Sequence, residues 1–322
     1  MISGRNLTMT VEHWSSRFCP NNRLLLPLHI WSWPKSYSTS IPSAHNLSLL
    51  CRIRIMLLSP SITQHLRSIS LPDENSHKGQ NGKVLIIGGS ELFHAASKWS
   101  LDIASKFVDM VFYASVPSNN QLVRQAKSEF WNGIVLEREA IAEYITEADC
   151  ILIGPGMDRS KQTKNQVTKL IAQFPSKRWV IDAGALQVLE PGQFPDASIL
   201  TPHQGEYERI SNILGGSIDA LLARNITILL KGRSDYVYHR AAITTITGGS
   251  PGMTKGGTGD VLSGLVAALY CKHQAETAAV VGSFINKQAG EHLAKKVGPF
   301  FNSSDLVQVI PEVFWRTLKN LS

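Results

Sequence analysis

DCILIGPG, residues 149–156, is an apolar run that stops abruptly on glycine. Cys150, Ile151, Leu152 and Ile153 show no alternation of polar and apolar side chains, so both faces of the strand they predict must be covered. That is the pattern of a parallel sheet flanked by helices, not of a sheet with one wet face. The pattern returns in KVLIIGG (83–89), DMVFYAS (109–115), RWVIDAG (178–184), ASILTPH (197–203) and NITILLKG (225–232). Helix-like segments separate these strands at 95–107, 119–128, 138–147, 162–174, 204–213 and 217–224. A hairpin is expected over 235–247, and three helices at 258–272, 274–295 and 304–319 close the chain. Alternating β and α segments predict an α/β fold with a mostly parallel central sheet, helices on both faces and right-handed crossovers.

The predicted strands end in a consistent way: Gly88-Gly89-Ser90, Gly154-Pro155-Gly156, Asp182-Ala183-Gly184, Thr201-Pro202-His203 and Lys231-Gly232. Glycine and aspartate also serve turn geometry alone. Ligands of open α/β sheets nevertheless collect outside the carboxyl ends of the strands, and five such ends point to one shared cleft. Neither G-x-G-x-x-G after the first strand nor G-x-x-x-x-G-K-[ST] anywhere is present, so the two common nucleotide fingerprints are missing.

A different cradle stands in SPGMTKGGTGDVLSG, residues 250–264. Gly256, Gly257 and Gly259 let backbone N–H groups converge at the start of a helix, where unpaired amides and the helix dipole favour phosphate. Asp260 is the odd member. An acid in a first turn often serves electrostatics alone. Beside a bound phosphate it would instead cost energy, which suggests a group that takes the proton of a substrate hydroxyl while the amides hold a transferring phosphoryl. The same amides are expected to keep Asp260 ionised.

Bulk properties narrow the rest. The net charge of +7 is uneven: residues 1–72 hold seven Lys or Arg against the single acid Glu12, which leaves the remainder close to neutral. No basic field for nucleic acid follows. Cys19, Cys51, Cys150 and Cys271 form no C-x-x-C pair, as expected in a reducing compartment, and Cys150 and Cys271 read as small buried hydrophobes. No run reaches the roughly 18 apolar residues of a membrane helix. Residues 1–55 are irregular, acid-poor and interrupted by Pro20, Pro27, Pro34 and Pro42. They fit either a mitochondrial transit segment or translation that begins at Met56. Residues 1–76 are therefore expected to be a poorly ordered or non-native extension, and 77–322 the domain.

GGTGD (256–260) resembles the anion-hole and aspartate motif of the ribokinase-like superfamily. With HKGQNGKVLIIGGS (77–90), ILIGPGM (151–157), VIDAGAL (180–186), ILTPHQGEYERI (199–210) and ILLKG (228–232), it is similar in order and spacing to the NAD(P)H-hydrate dehydratases. The resemblance implies a three-layer α/β/α domain and ADP- or ATP-dependent dehydration of the S-form of NADHX or NADPHX to NADH or NADPH. The ring hydroxyl would be phosphorylated and phosphate then lost, with Mg2+ accompanying the nucleotide. It further implies Asp260 as base, with Gly256, Gly257, Thr258 and Gly259 as anion hole. Lys231, Gly232, Arg233, Ser234, Asp235 and Gly259 would line the nucleotide side; Ala95, Gly156, His203 and Asp260 the hydrate side. No protein-held metal, no nucleic acid and no membrane partner is expected. A homotetramer in the cytoplasm is, or in mitochondria if the extension is native.

The sequence departs from the family pattern at His94, where a glycine normally precedes Ala95, and at Gln204 within T-P-H-x-G-E. A small-molecule kinase of a vitamin-precursor alcohol, and a non-catalytic adenylate or nicotinamide sensor, stay open as alternatives. About 76 residues precede the domain, fewer than the roughly 100–150 of a typical domain, so no fused epimerase is expected. Several side chains have two readings: His203 as turn residue or ligand contact, Asp182 as helix cap or site residue, Glu206 as first-turn acid or magnesium-side carboxylate, and Lys231 as solvated or phosphate-bound. Trp99, Trp131, Trp179 and Trp315 are expected in the core or at interfaces.

Overall fold

A computed structural model describes residues 59–130 and 132–321. The Met56 start, most of the extension and Trp131 lie outside these residues. Nine strands form one sheet: β1 Lys83–Ile87, β2 Met110–Ala114, β3 Ile134–Val135, β4 Cys150–Ile153, β5 Arg178–Ile181, β6 Ile199–Leu200, β7 Thr227–Leu230, β8 Asp235–His239 and β9 Ala242–Ile246. Their spatial order is β3-β2-β1-β4-β5-β6-β7-β8-β9. Every neighbouring pair from β3 to β7 is parallel, whereas β8 and β9 add an antiparallel hairpin at one edge.

Each continuous apolar run is divided by the pleat between two cores. Val84 and Ile86 of β1 join Cys150, Leu152 and Val180 on one face. Leu85 and Ile87 join Ile151, Ile153, Trp179 and Ile181 on the other. Eleven helices belong to the described residues: α1 Pro60–Arg67, α2 Ala95–Ala104, α3 Pro117–Gln125, α4 Ile141–Glu147, α5 Lys161–Gln173, α6 Ala183–Val188, α7 Gln204–Ile213, α8 Asp219–Leu222, α9 Thr258–Tyr270, α10 Ala275–Val297 and α11 Ser303–Lys319. Helices α1, α2, α9, α10 and α11 cover the first face, and α4 to α8 the second. The result is the three-layer α/β/α arrangement. Trp179, Cys150 and Cys271 are buried, as expected, whereas Trp315 is exposed.

Three features differ from the sequence reading. The folded body begins ahead of residue 77: Ile62 and Leu66 of α1, one turn apart, are buried against α10, and burial of such side chains contributes about 1.5–3 kcal/mol each. The strand expected over 197–203 shortens to Ile199–Leu200, and Ala183-Gly184 opens helix α6 rather than ending a strand. Strand β3 has only two residues, too few for a period to show.

The strand order reverses between β1 and β4, the topological switch point where α/β sheets bind ligands. The two strand ends are locked there. Gly89 N–H donates to Pro155 O (2.7 Å), and Gly154 N–H to Ile87 O (3.0 Å). Gly154 has φ +120°, and a Cβ on it would stand 1.8 Å from the Asp182 carbonyl, so only glycine fits.

Candidate active site

The loop before α9 delivers the expected cradle. Gly257 is the N-cap of α9 with φ +94°, and a Cβ there would meet Trp99 at 2.2 Å. Gly256 faces open space. The N–H groups of Gly256, Gly257 and Gly259 have no acceptor among the described residues. Those three amides and the dipole of a 13-residue helix make an anion seat. Thr258 contributes differently. Its hydroxyl donates to Met253 O (2.7 Å) and Lys255 O (3.1 Å), which folds the loop, and its N–H points back towards Lys255 O.

Asp260 occupies the first turn of α9, half-buried at the cleft. Ser100 anchors this turn by donating to Asp260 O (2.8 Å). Burial, and next the negative charge of Asp182, push the Asp260 carboxyl up to about 7; Lys231 and a backbone N–H only partly offset them. The expectation that amides keep it ionised is therefore corrected: a backbone N–H acts in that direction but does not prevail. Desolvation and a like charge outweigh hydrogen bonding, and the group is poised near neutrality.

Lys231 follows β7 and reaches across β6 to β5. Its Nζ lies 2.7 Å from Asp182 Oδ1, and Asp182 is 1% exposed. A Cβ on Gly259 would stand 3.6 Å from the same Nζ, so the ammonium sits beside the anion seat. Burial alone would pull the Lys231 ammonium down, but Asp182, Glu206 and Asp260 together hold it above the usual lysine range. Asp182 makes no side-chain cap bond to α6, and its carboxylate pairs with Lys231 instead. A carboxylate at the end of a buried strand is itself the signal, since it must find a partner in space.

The remaining expected residues divide into two groups. His203 caps α7. Its Nδ1 accepts from the Gly205 (3.1 Å) and Glu206 (3.3 Å) amides, and Glu206 Oε2 accepts the His203 N–H at 2.9 Å. The imidazole is 60% exposed, so it holds the helix and still presents part of its ring to solvent. Glu206 is buried and also accepts from Gln187 Nε2 (2.8 Å). Gly156 lies against the start of α2: a Cβ would be 2.8 Å from Phe93 O and 3.0 Å from Ala96. Ala95 is exposed there, and His94 beside it carries a buried Nδ1 without a hydrogen-bond partner. A cavity of about 290 Å³ adjoins, lined in part by Gly88, Gly89, Ser90, Met157 and Asp158.

Gly232, Arg233 and Ser234 form an exposed to half-exposed turn. Asp235 is not open to the cleft: its carboxylate accepts from the Gly232 N–H (2.9 Å) and the Ser283 hydroxyl (2.7 Å) and pairs with Lys287 (3.1 Å). Lys287 and Ser283 were invisible to motif reading, because in sequence they are two polar residues inside a long helix.

The site can hold a phosphate on backbone amides, with an ammonium beside it and a carboxylate titrating near neutrality in reach. Comparison with known proteins points the same way. A family model described as NAD(P)H-hydrate dehydratase matches residues 84–312. A bifunctional NAD(P)H-hydrate repair enzyme of Methanocaldococcus jannaschii is 35% identical over 255 residues, which cover 77% of this chain and 51% of that protein. An ADP-dependent (S)-NAD(P)H-hydrate dehydratase of Nitrosopumilus maritimus is 34% identical over 263 residues, 74% of this chain and 90% of that one. The crystal structure of a ribokinase-like superfamily protein from Enterococcus faecalis superposes with a TM-score of 0.71 at 25% identity, covering 81% of this chain and 95% of that one. The chain thus spans about half the length of the bifunctional relatives it matches.

Proposed function

Because the chain belongs to the NAD(P)H-hydrate dehydratase family, we propose that it dehydrates the S-form of NADHX or NADPHX with ADP or ATP as phosphoryl donor. The observation that carries the reading is the placement of Asp260, with a carboxyl near 7, beside the open amides of Gly256, Gly257 and Gly259 and the Lys231–Asp182 pair. Ionised Asp260 takes the proton of the ring hydroxyl, and the freed oxygen attacks the terminal phosphoryl of the nucleotide, whose bridging P–O bond breaks to release AMP from ADP or ADP from ATP. The three amides and Lys231 stabilise charge on the transferring group, while positioning does most of the work. The ring carbon–oxygen bond then breaks, phosphate departs with the electron pair, and loss of a proton from the adjacent carbon restores the double bond.

Gly156, Ala95 and His203 line the hydrate side in this reading, and the cavity beside Gly88 and Gly89 would take one end of the dinucleotide. Lys231 and the Gly232–Ser234 turn frame the nucleotide, with Asp235 buried behind the turn. Hard carboxylate oxygens suit Mg2+. Asp182 Oδ2 accepts no hydrogen bond from the described residues, so Asp182 would face an ion that arrives on nucleotide phosphates, which leaves Asp260 to act as base. When bound, that ion would neutralise phosphoryl charge.

The reading extends to a homotetramer, for which light scattering should give about four chain masses. It places the enzyme in the cytoplasm, or in mitochondria if the first 55 residues are a native transit segment, which fractionation with an antibody would decide. No helix among the described residues is long and apolar enough to cross a membrane. The central test is incubation of purified protein with NADHX and ADP, and separately with ATP. Return of the reduced-nicotinamide absorbance is expected with at least one; its absence with both would direct attention to the kinase alternative.

A further inference from the structure

Lys287 projects from α10 into the interior and is only 5% exposed. Its Nζ donates to Gly232 O (3.1 Å) and Arg233 O (3.2 Å) and pairs with Asp235 Oδ1 (3.1 Å). The ammonium is thereby held by two carbonyls and a carboxylate. Asp235 is equally occupied, by the Gly232 N–H on Oδ1 and the Ser283 hydroxyl on Oδ2. Ser283 and Lys287 lie one helical turn apart, so one face of α10 supplies both contacts.

The consequence follows from peptide geometry. In a planar trans peptide the C=O of one residue and the N–H of the next point in opposite directions. Lys287 draws the carbonyls of Gly232 and Arg233 towards α10, so the N–H groups of Arg233 and Ser234 turn away from it. Neither N–H has an acceptor among the described residues. Successive amides aimed to one side make a concavity for an anionic oxygen. The turn directly follows Lys231, whose ammonium lies beside the anion seat of α9.

We propose that Lys287 is a positioning residue for nucleotide binding: it fixes the Gly232–Ser234 turn so that the Arg233 and Ser234 amides grip an anionic oxygen of the adenine nucleotide. This rests on the nucleotide-dependent reading above. Lys287 touches neither substrate, so its removal weakens nucleotide affinity without altering the chemistry at Asp260.

The test pairs Asp235→Asn with Lys287→Met. Both charges leave together, so no uncompensated charge remains buried, and the introduced amide keeps an oxygen for the Gly232 N–H. Calorimetry should show ADP binding about tenfold weaker, as expected for one or two lost hydrogen bonds. The KM for NADHX should stay within about twofold and the unfolding temperature within about 5 °C of wild type. An unchanged ADP affinity overturns the proposal. So does an equal rise in ADP Kd and NADHX KM with a fall in unfolding temperature, the mark of a merely structural pair. Ser283→Ala is the milder arm, which leaves the ion pair in place; ADP binding should weaken about two- to threefold, and no change overturns the proposal. The assay needs no turnover. Wild-type protein that binds ADP but fails to regenerate NADH counts against the dehydratase reading alone, whereas wild type that binds neither ADP nor ATP overturns this inference.

Discussion

Two lysine–aspartate pairs stand close together at the carboxyl edge of the sheet, and they do opposite things. Lys231–Asp182 is a 2.7 Å pair whose lysine side chain is 19% exposed at the cleft. Lys287–Asp235 is a 3.1 Å pair with 6% exposure on both sides. In the first, Asp182 keeps an oxygen without a donor and a second carboxylate, Asp260, shares the field, so charge is left for a ligand to answer. In the second, the Gly232 N–H, the Ser283 hydroxyl and two turn carbonyls occupy the groups that remain. The same two residue types therefore make either a reactive corner or a scaffold. What decides is how many other partners reach them, because a buried polar group left open is costly and a satisfied one is rigid.

The sharpest way to break this contrast is at the reactive corner. Asp260→Asn should lower kcat by about 10²–10⁴-fold, the usual worth of a general base, with ADP affinity within about threefold of wild type. Retention of most turnover would remove Asp260 from the chemistry. The next effect concerns stability. Lys287→Met alone strands the Asp235 charge in the interior and should cost about 3–5 kcal/mol, measured by urea unfolding, most of it recovered when Asp235→Asn is added. Lys231→Met strands Asp182, which is 1% exposed, and should cost a similar amount by the same measurement, so the two pairs are told apart by turnover and ADP binding rather than by stability.

The smallest effect is a shift in pH dependence. A base with its carboxyl near 7 is protonated and idle below that value, so kcat/KM should fall as pH drops through about 7. Asp182→Asn removes the negative charge that raises Asp260 and frees Lys231 to stabilise the carboxylate. Both changes lower the Asp260 value, so the acidic limb should move to lower pH. A limb that stays in place would mean that burial alone holds Asp260 up.

Much of the fold was legible along the chain. The runs at 83–87, 150–153 and 227–230 could be read as doubly covered strands because every residue in them but Lys83 and Thr227 is apolar and each stops on glycine or lysine-glycine. The cradle at 256–260 was legible for a similar reason, since a backbone that must leave its amides open needs residues without Cβ. Strand β3 escaped notice because two residues, one of them the exposed Ile134, carry no period. Helix α6 escaped because its start depends on Ala183 adopting φ +42°, which no composition announces.

The sequence by itself determined where the backbone turns, which stretches are buried on both faces and where a phosphate-sized anion can meet bare amides. These are local matters of side-chain bulk, polarity and missing Cβ atoms. Only the tertiary structure decided what the charges do. It brought Asp182 to Lys231 across 49 residues and Lys287 to Asp235 across 52, and it turned Asp260 from an ordinary acid into one that titrates near 7. Coulomb interaction and desolvation depend on distance and surroundings in space, and neither is written in the spacing of residues along the chain.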